Sequence, residues 1–299
     1  MQKKITAALL GVAMMFSLAS CSGGKARTAE NNKLKVSVTF NAMKEFVEAV
    51  GKDKVEVSTI IPDGSEPHDF EPKPLDLAGI SQASVFVYNG MGMESWVNKA
   101  VSSVGSKNLI TVDASNGIEP IRSGESGGGA SQDDPHVWIS LKGAQTEALN
   151  IKNALEKADP ANKNYYEKNY SDFAASLQSL YNEYSAKFAA EKTKNFVTGH
   201  AAFAYLCRDF GLCQNSVEDV FAEGEPSAQK LGQLVAYCRK NNVKTIFVED
   251  MVSPAVSDTL ANEVGAKVQK IYTIESSEGG ASYLDRMKIN LQEIYQSLQ

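Results

Sequence analysis

The chemistry open to this chain rests on His68, His136 and His200, its only three histidines. Each stands beside turn-forming residues, in Glu66-Pro67-His68-Asp69, Asp134-Pro135-His136-Val137-Trp138 and Thr198-Gly199-His200-Ala201. A neutral imidazole is a common ligand for zinc and related ions. The chain has no His-Glu-x-x-His and no compact zinc-ribbon spacing, so a metal site would have to be assembled from distant segments. A lone loop histidine is more often a surface residue than a ligand, and spacing alone does not make the three converge. Their setting is more informative. His200 follows the β-rich run 195–198 directly and His68 follows the run 55–61. In parallel α/β sheets, ligands gather beyond the carboxyl ends of the strands.

Alternating strands and helices must carry these residues. Residues 35–40 (KVSVTF) alternate at period two, 84–88 (SVFVY) and 245–249 (TIFVE) are short apolar runs, and helical patterns intervene at 41–50, 75–80 and 96–104. Such an order predicts α/β lobes with parallel-type sheets. From Gly143, the apolar Ala144, Ala148, Ile151 and Leu155 recur at helical spacing. Asp159-Pro160 then reads as an N-cap and first helical position. The helix it opens is long, with Tyr166, Tyr170, Phe173, Leu177, Leu180, Tyr184 and Phe188 three or four apart. Roughly 28 residues at about 1.5 Å each span roughly 40 Å. That length can bridge two lobes or lie along one domain, and its place midway along the chain favours the bridge. Further helices are predicted at 200–210, 227–240 and 256–264, and strands at 195–198, 245–249 and 268–274. The expected organisation is a first lobe at 34–159, a bridging helix at 160–190 and a second lobe at 191–299.

Lys3 and Lys4 precede an apolar run at 5–18, which marks residues 1–20 as a secretory signal too short for a confident membrane span. Leu18-Ala19-Ser20-Cys21 looks like a bacterial lipobox, in which Cys21 is acylated and anchors the chain to the membrane. Cleavage near small residues with Cys21 incidental is the alternative. Residues 21–33 are polar and small, a tether. The net charge of −6 becomes −8 once Lys3 and Lys4 leave with the signal. An acidic chain without basic clusters is not a nucleic-acid binder by composition. Residues 123–134 (SGESGGGASQDD) read as a surface loop, with Asp133 and Asp134 as solvated charge. Cys207, Cys213 and Cys238 leave two readings equally open, one disulfide plus a thiol or three buried thiols.

From residue 34 to 298 the chain resembles the cluster A-I substrate-binding proteins, the zinc- and manganese-specific subunits of ATP-binding-cassette importers. The resemblance lies in Pro67-His68-Asp69-Phe70-Glu71-Pro72, Asn89-Gly90-Met91-Gly92-Met93-Glu94-Ser95-Trp96, Asp134-Pro135-His136-Val137-Trp138, His200-Ala201-Ala202-Phe203-Ala204-Tyr205, Glu225-Pro226-Ser227, Ser282-Tyr283-Leu284 and Asn290-Leu291, in the family's order. It implies two α/β lobes joined by one long helix, with a metal between them. His68 and His136 would be ligands from the first lobe and His200 from the second, where manganese-type members often carry Glu. A nitrogen-rich site favours zinc over manganese. The fourth ligand departs from the common pattern, because Tyr272 stands where many members have Asp. Glu275 matches the arrangement of some zinc-type members, with water as the next choice and Glu249 as a weaker candidate or a supporting carboxylate. The histidine-rich tract of many zinc-type members is missing from 123–134.

The resemblance further implies a non-enzymatic carrier that captures extracytoplasmic zinc, or manganese, and delivers it to a cognate membrane permease. The carrier would be monomeric and held to the envelope by its lipid. Binding would weaken as pH falls, because the imidazoles must be neutral. The rival expectations are a surface adhesin with a structural metal and a secreted zinc hydrolase. The hydrolase is disfavoured by the lack of a general-base motif or a G-x-S-x-G.

Overall fold

The computed structural model describes residues 33–122, 132–221, 226–249 and 253–299. The signal segment, Cys21 and the tether after it up to residue 32, residues 123–131 of the Gly/Ser-rich loop and Glu225 lie outside the described residues. The first half runs β1 (Leu34–Val38), α1 (Asn41–Gly51), β2 (Val55–Thr59), α2 (Pro74–Gln82), β3 (Val85–Tyr88), α3 (Val97–Val104), β4 (Ile110–Asp113) and α4 (Leu141–Ala158). A long helix, α5 (Lys163–Ala190), follows. The second half repeats the alternation as β5 (Asn195–Thr198), α6 (Ala204–Phe210), β6 (Cys213–Ser216), α7 (Ala228–Lys240), β7 (Thr245–Val248), α8 (Pro254–Val264), β8 (Lys267–Lys270) and α9 (Tyr283–Ser297). The sheets are ordered β2-β1-β3-β4 and β6-β5-β7-β8, and every pairing in them is parallel. The two-lobed α/β architecture expected from the sequence is therefore present. Among the described residues no helix is long and apolar enough to cross a membrane.

The apolar runs become central strands because both faces of each sheet are covered. One face packs on a single core that is continuous through both halves, from Val36, Phe46 and Val87 to Phe196, Ile271 and Ile294. The outer faces carry smaller clusters, Ile80, Phe86 and Trp96 in the first lobe and Leu234, Ile246 and Leu260 in the second. Helix α5 joins the lobes. Its predicted stripe is inward, with Tyr166, Phe173, Leu177, Leu180, Tyr184 and Phe188 buried and Tyr170 half-buried, and it packs on α1 and α4 near one end and on α6 and α9 near the other.

Four local expectations need correction. Asp159 and Pro160 hold the N-cap and first positions of a 3-10 turn, Pro160–Asn162, that leads into α5 rather than of α5 itself, and the Asp159 carboxylate accepts from Asn162 Nδ2 (2.6 Å) and Tyr166 Oη (2.8 Å) instead of from a backbone N–H. Helix α6 begins at Ala204 rather than at residue 200, and β8 stops at Lys270 instead of running to 274. Strand β6 (CQNS) had no apolar pattern to announce it. Cys207, Cys213 and Cys238 are all free thiols, the first and last buried and Cys213 exposed, so neither cysteine expectation holds as stated.

Candidate metal centre

In each sheet the strand order reverses around its first strand, which opens a crevice beyond the carboxyl ends. His68 comes from the connection after β2, His136 from the segment after β4, His200 from the turn after β5, and Glu275 from the chain leaving β8. Every expected ligand therefore stands on the crevice side of its lobe. Among the described residues the three histidines form the one cluster of three or more metal-donating side chains, their donor atoms all within 4.8 Å of one another.

The centre of the cluster is His136, fully buried. Its Nε2 lies 3.2 Å from His68 Nε2. Its Nδ1 faces Asp134 Oδ1 at 2.8 Å, and the same oxygen accepts the His136 backbone N–H at 2.9 Å. A carboxylate on Nδ1 fixes the proton there and leaves the Nε2 lone pair facing the crevice. Burial pushes the Asp134 carboxyl up to about 6, so it is still largely ionised at neutral pH. Asp134 is 1% exposed, which overturns its expected role as solvated charge. Asp133 does lie nearer solvent, paired with Arg122.

His200 is 2% exposed. Its backbone N–H donates to Glu249 Oε1 (3.3 Å), its carbonyl accepts from Thr198 Oγ1 (2.6 Å) and Gln214 Nε2 (2.9 Å), and its Nε2 meets Val220 O at 3.0 Å. The ring centroids of His200 lie 4.7 Å from His136 and 5.9 Å from His68. Burial, then the neighbouring imidazoles, holds His68 down at about 2. Burial lowers His136 to about 3, and burial with the charge of His136 lowers His200 to about 3. All three rings are therefore neutral across the physiological range, the state in which imidazole ligates. Two neutral Nε2 atoms at 3.2 Å match the nitrogen separation of about 3.3 Å that a tetrahedral zinc with bonds of about 2.0–2.1 Å imposes.

Glu275 brings an oxygen to this group. Its Oε2 accepts from Thr273 Oγ1 at 2.8 Å, while Oε1 is buried, without a partner, and 3.9 Å from His136 Nε2. Burial, then the charge of Glu66, pushes its carboxyl up to about 8. The turn that presents it is strained, since Ile274, a β-branched residue, sits at φ 62°. First-lobe groups hold that turn: Trp138 Nε1 donates to Thr273 O (2.7 Å) and the Asn41 N–H to Glu275 O (3.3 Å). Glu249 lies behind His200, on its backbone N–H, with burial raising its carboxyl to about 8. That is the position of a supporting carboxylate. Tyr272 is turned into a clamp with Asn290, and its ring lies under Lys270.

Two further supports of the centre, Asn89 and Glu94, were quoted as motif residues from the sequence but given no role. Asn89 Nδ2 donates to Pro135 O at 2.9 Å, and the loop carrying it is closed by Glu94, whose carboxylate accepts from Asn89 N, Gly90 N and Thr39 Oγ1. The Asp-x-His spacing at 134–136 was the one available signal for Asp134.

Fold and cluster together define a two-lobed binding protein whose crevice carries metal-donating side chains from both lobes. The chain belongs to the family described as zinc-uptake complex component A, periplasmic (ZnuA), whose family model matches residues 36–297. A protein of Treponema pallidum (strain Nichols) named for metal binding is 44% identical over 303 residues, 98% of this chain and 96% of the relative. The high-affinity zinc uptake system protein ZnuA of Bacillus subtilis (strain 168) is 38% identical over 315 residues, 100% of this chain and 99% of that one. The solved laminin binding protein (Lmb) of Streptococcus agalactiae, described as bifunctional with adhesin and metal transporting activity, superposes with a TM-score of 0.83 at 32% identity, covering 89% of this chain and 100% of that one.

Proposed function

We propose that this protein captures zinc outside the cytoplasm and delivers it to the permease of an ATP-binding-cassette importer, with His68, His136, His200 and Glu275 as the ligands. The observation that carries this reading is the meeting of side chains from both lobes, the His136 ring centroid lying 4.7 Å from that of His200 and its Nε2 3.2 Å from His68 Nε2 and 3.9 Å from the partnerless Oε1 of Glu275. Three nitrogens and one carboxylate oxygen suit zinc better than manganese, which prefers oxygen. The ion would displace Val220 O from His200 and deprotonate Glu275, since a bound dication favours the charged carboxylate. Ligands from two lobes tie metal occupancy to the lobe arrangement, and the rigid α5 limits how far the lobes can part. The chain acts as a monomeric carrier with no catalytic step. Acylation at Cys21, after removal of residues 1–20, holds it to the membrane beside the permease.

The test is metal content and competitive titration of the chain truncated after Cys21, beside His200→Ala and Glu275→Ala. The expected result is one zinc per chain. In His200→Ala the affinity falls by more than the roughly 10–100-fold that losing an outer-shell partner costs, and Glu275→Ala falls between the two because water can take the oxygen position. No stoichiometric transition metal, or affinities that neither substitution changes, would sink the proposal.

A further inference from the structure

Helix α6 leaves the second lobe four residues after His200 and reaches the first lobe on both sides of His136. Asp209 Oδ2 accepts from Ser140 Oγ at 2.6 Å, just after the His136 segment, and Arg208 donates to Glu119 O at 2.9 Å, before it. Between them lies Tyr205, fully buried. Its hydroxyl donates to Asp134 O at 2.7 Å and accepts the Ile121 N–H at 3.1 Å, with Met91 Sδ 3.2 Å away. Ile121 and Asp134 are themselves paired, the Asp134 N–H donating to Ile121 O at 2.7 Å. One second-lobe hydroxyl thus completes the hydrogen bonding of two first-lobe chain segments where they enter the His136 turn. The residue it holds is the one whose carboxylate orients the His136 ring.

We propose that Tyr205 is a positioning residue for the metal centre. It fastens the Asp134–His136 segment itself to the helix that follows His200, between the flanking Arg208 and Asp209 contacts, so that the separation of these two imidazoles is set across the lobe boundary most directly by this side chain. This inference rests on the zinc reading above. It implies that zinc leaves only when the Tyr205–Asp134 contact opens, because parting His136 from His200 stretches that bond first. Removing the hydroxyl leaves Asp134 O and the Ile121 N–H without their partner while keeping the ring in place. The His136 segment then loses its direct tie to α6 at Asp134, while its packing and the flanking Asp209 and Arg208 contacts stay.

The experiment compares the full-length chain with Tyr205→Phe and with Tyr166→Phe. The control likewise loses a buried tyrosine hydroxyl, one that donates to Asp159 Oδ2 far from the centre. Three quantities are read: the rate of zinc loss to a chelator, the visible absorption of the cobalt(II)-loaded protein, and the melting temperature of the metal-free protein. In Tyr205→Phe zinc loss becomes about tenfold faster, the low end for losing a partner that orients a ligand, and the cobalt bands change in position or intensity. Tyr166→Phe matches wild type in both, although both variants melt lower. Tyr205→Phe with wild-type zinc loss and wild-type cobalt bands overturns the inference, leaving Tyr205 a stability residue only. A wild-type chain that takes up no zinc overturns the metal reading and this inference with it.

Discussion

A carboxyl group sealed in a protein interior without a partner is held in its neutral form, because the charged form has no solvent and no donor to stabilise it. Glu147, on the inner face of α4, is such a group, fully buried with both carboxyl oxygens unpartnered. Burial, then the charges of Glu94 and Asp113, raises it well above 4.5. A folded-state value above the unfolded one favours folding most below pH 4.5, and that contribution is lost as the pH climbs toward the folded value. Glu147→Gln removes the titration. The expected outcome is a melting temperature of the metal-free variant that gains on wild type between about pH 5 and about pH 8. A difference that does not vary with pH would show that the folded-state value of Glu147 is not raised above the unfolded one. The same residue-scale physics separates the two aspartates at 133 and 134, which look alike in sequence. One is partly exposed beside Arg122 and the other is sealed against a histidine ring.

At the scale of elements, the start of α4 is packed against the His136 turn with no room to spare. Ser140 Oγ caps the helix by accepting the Gly143 N–H at 2.9 Å. A Cβ on Gly143 would lie 2.3 Å from Val137 O and 2.8 Å from Val137 Cγ1. The first of these is backbone and cannot swing aside. Gly143→Ala is therefore expected to lower stability by about 1–3 kcal/mol, the usual range for overpacking, and to weaken zinc binding by displacing Val137 next to His136. Denaturant melts and zinc titration of the same variant check both. A stable variant with wild-type zinc affinity would mean that the turn yields freely. Element ends were the least legible feature of the sequence. Residues 268–274 carry apolar side chains suited to a strand, yet the chain leaves the sheet after Lys270. Asn290 takes over the pairing there, accepting from Tyr272 N (2.9 Å) and donating to Tyr272 O (2.7 Å). A side chain 18 residues away thus supplies what a neighbouring strand would, and frees the chain to turn Glu275 into the crevice.

At the scale of the molecule, the lobes share one apolar core and are tied by polar contacts across the boundary. Arg286 pairs with Glu45, Ser277 N donates to Asp63 Oδ1 at 2.8 Å, and Gly64 N donates to Ser276 Oγ at 3.0 Å. Lobes that share a core cannot unfold separately without exposing it. The metal-free chain is expected to melt in one transition, read alike by circular dichroism and calorimetry. Zinc at a thousandfold excess over its dissociation constant should add about 4 kcal/mol and raise that single transition. Two separate transitions, with zinc moving only one, would show that the lobes are independent and that the ligands come from one of them.

By itself the sequence determined the alternation of strands and helices, the inward stripe of α5, and the nomination of His68, His136, His200 and Glu275. The first two depend on side-chain type and local period, which a chain displays before it folds, whereas the ligand roles, that of Glu275 above all, were implied by the resemblance of its motifs. Only the tertiary structure decided that the three imidazoles meet, that Asp134 is sealed behind His136 while Asp133 stays near solvent, that Glu249 backs His200, and that Tyr205 spans the lobes. Apart from the two-residue Asp134–His136 contact, whose sealing is what packing supplies, these are contacts between residues far apart in sequence, and their geometry is set by packing that no local pattern encodes.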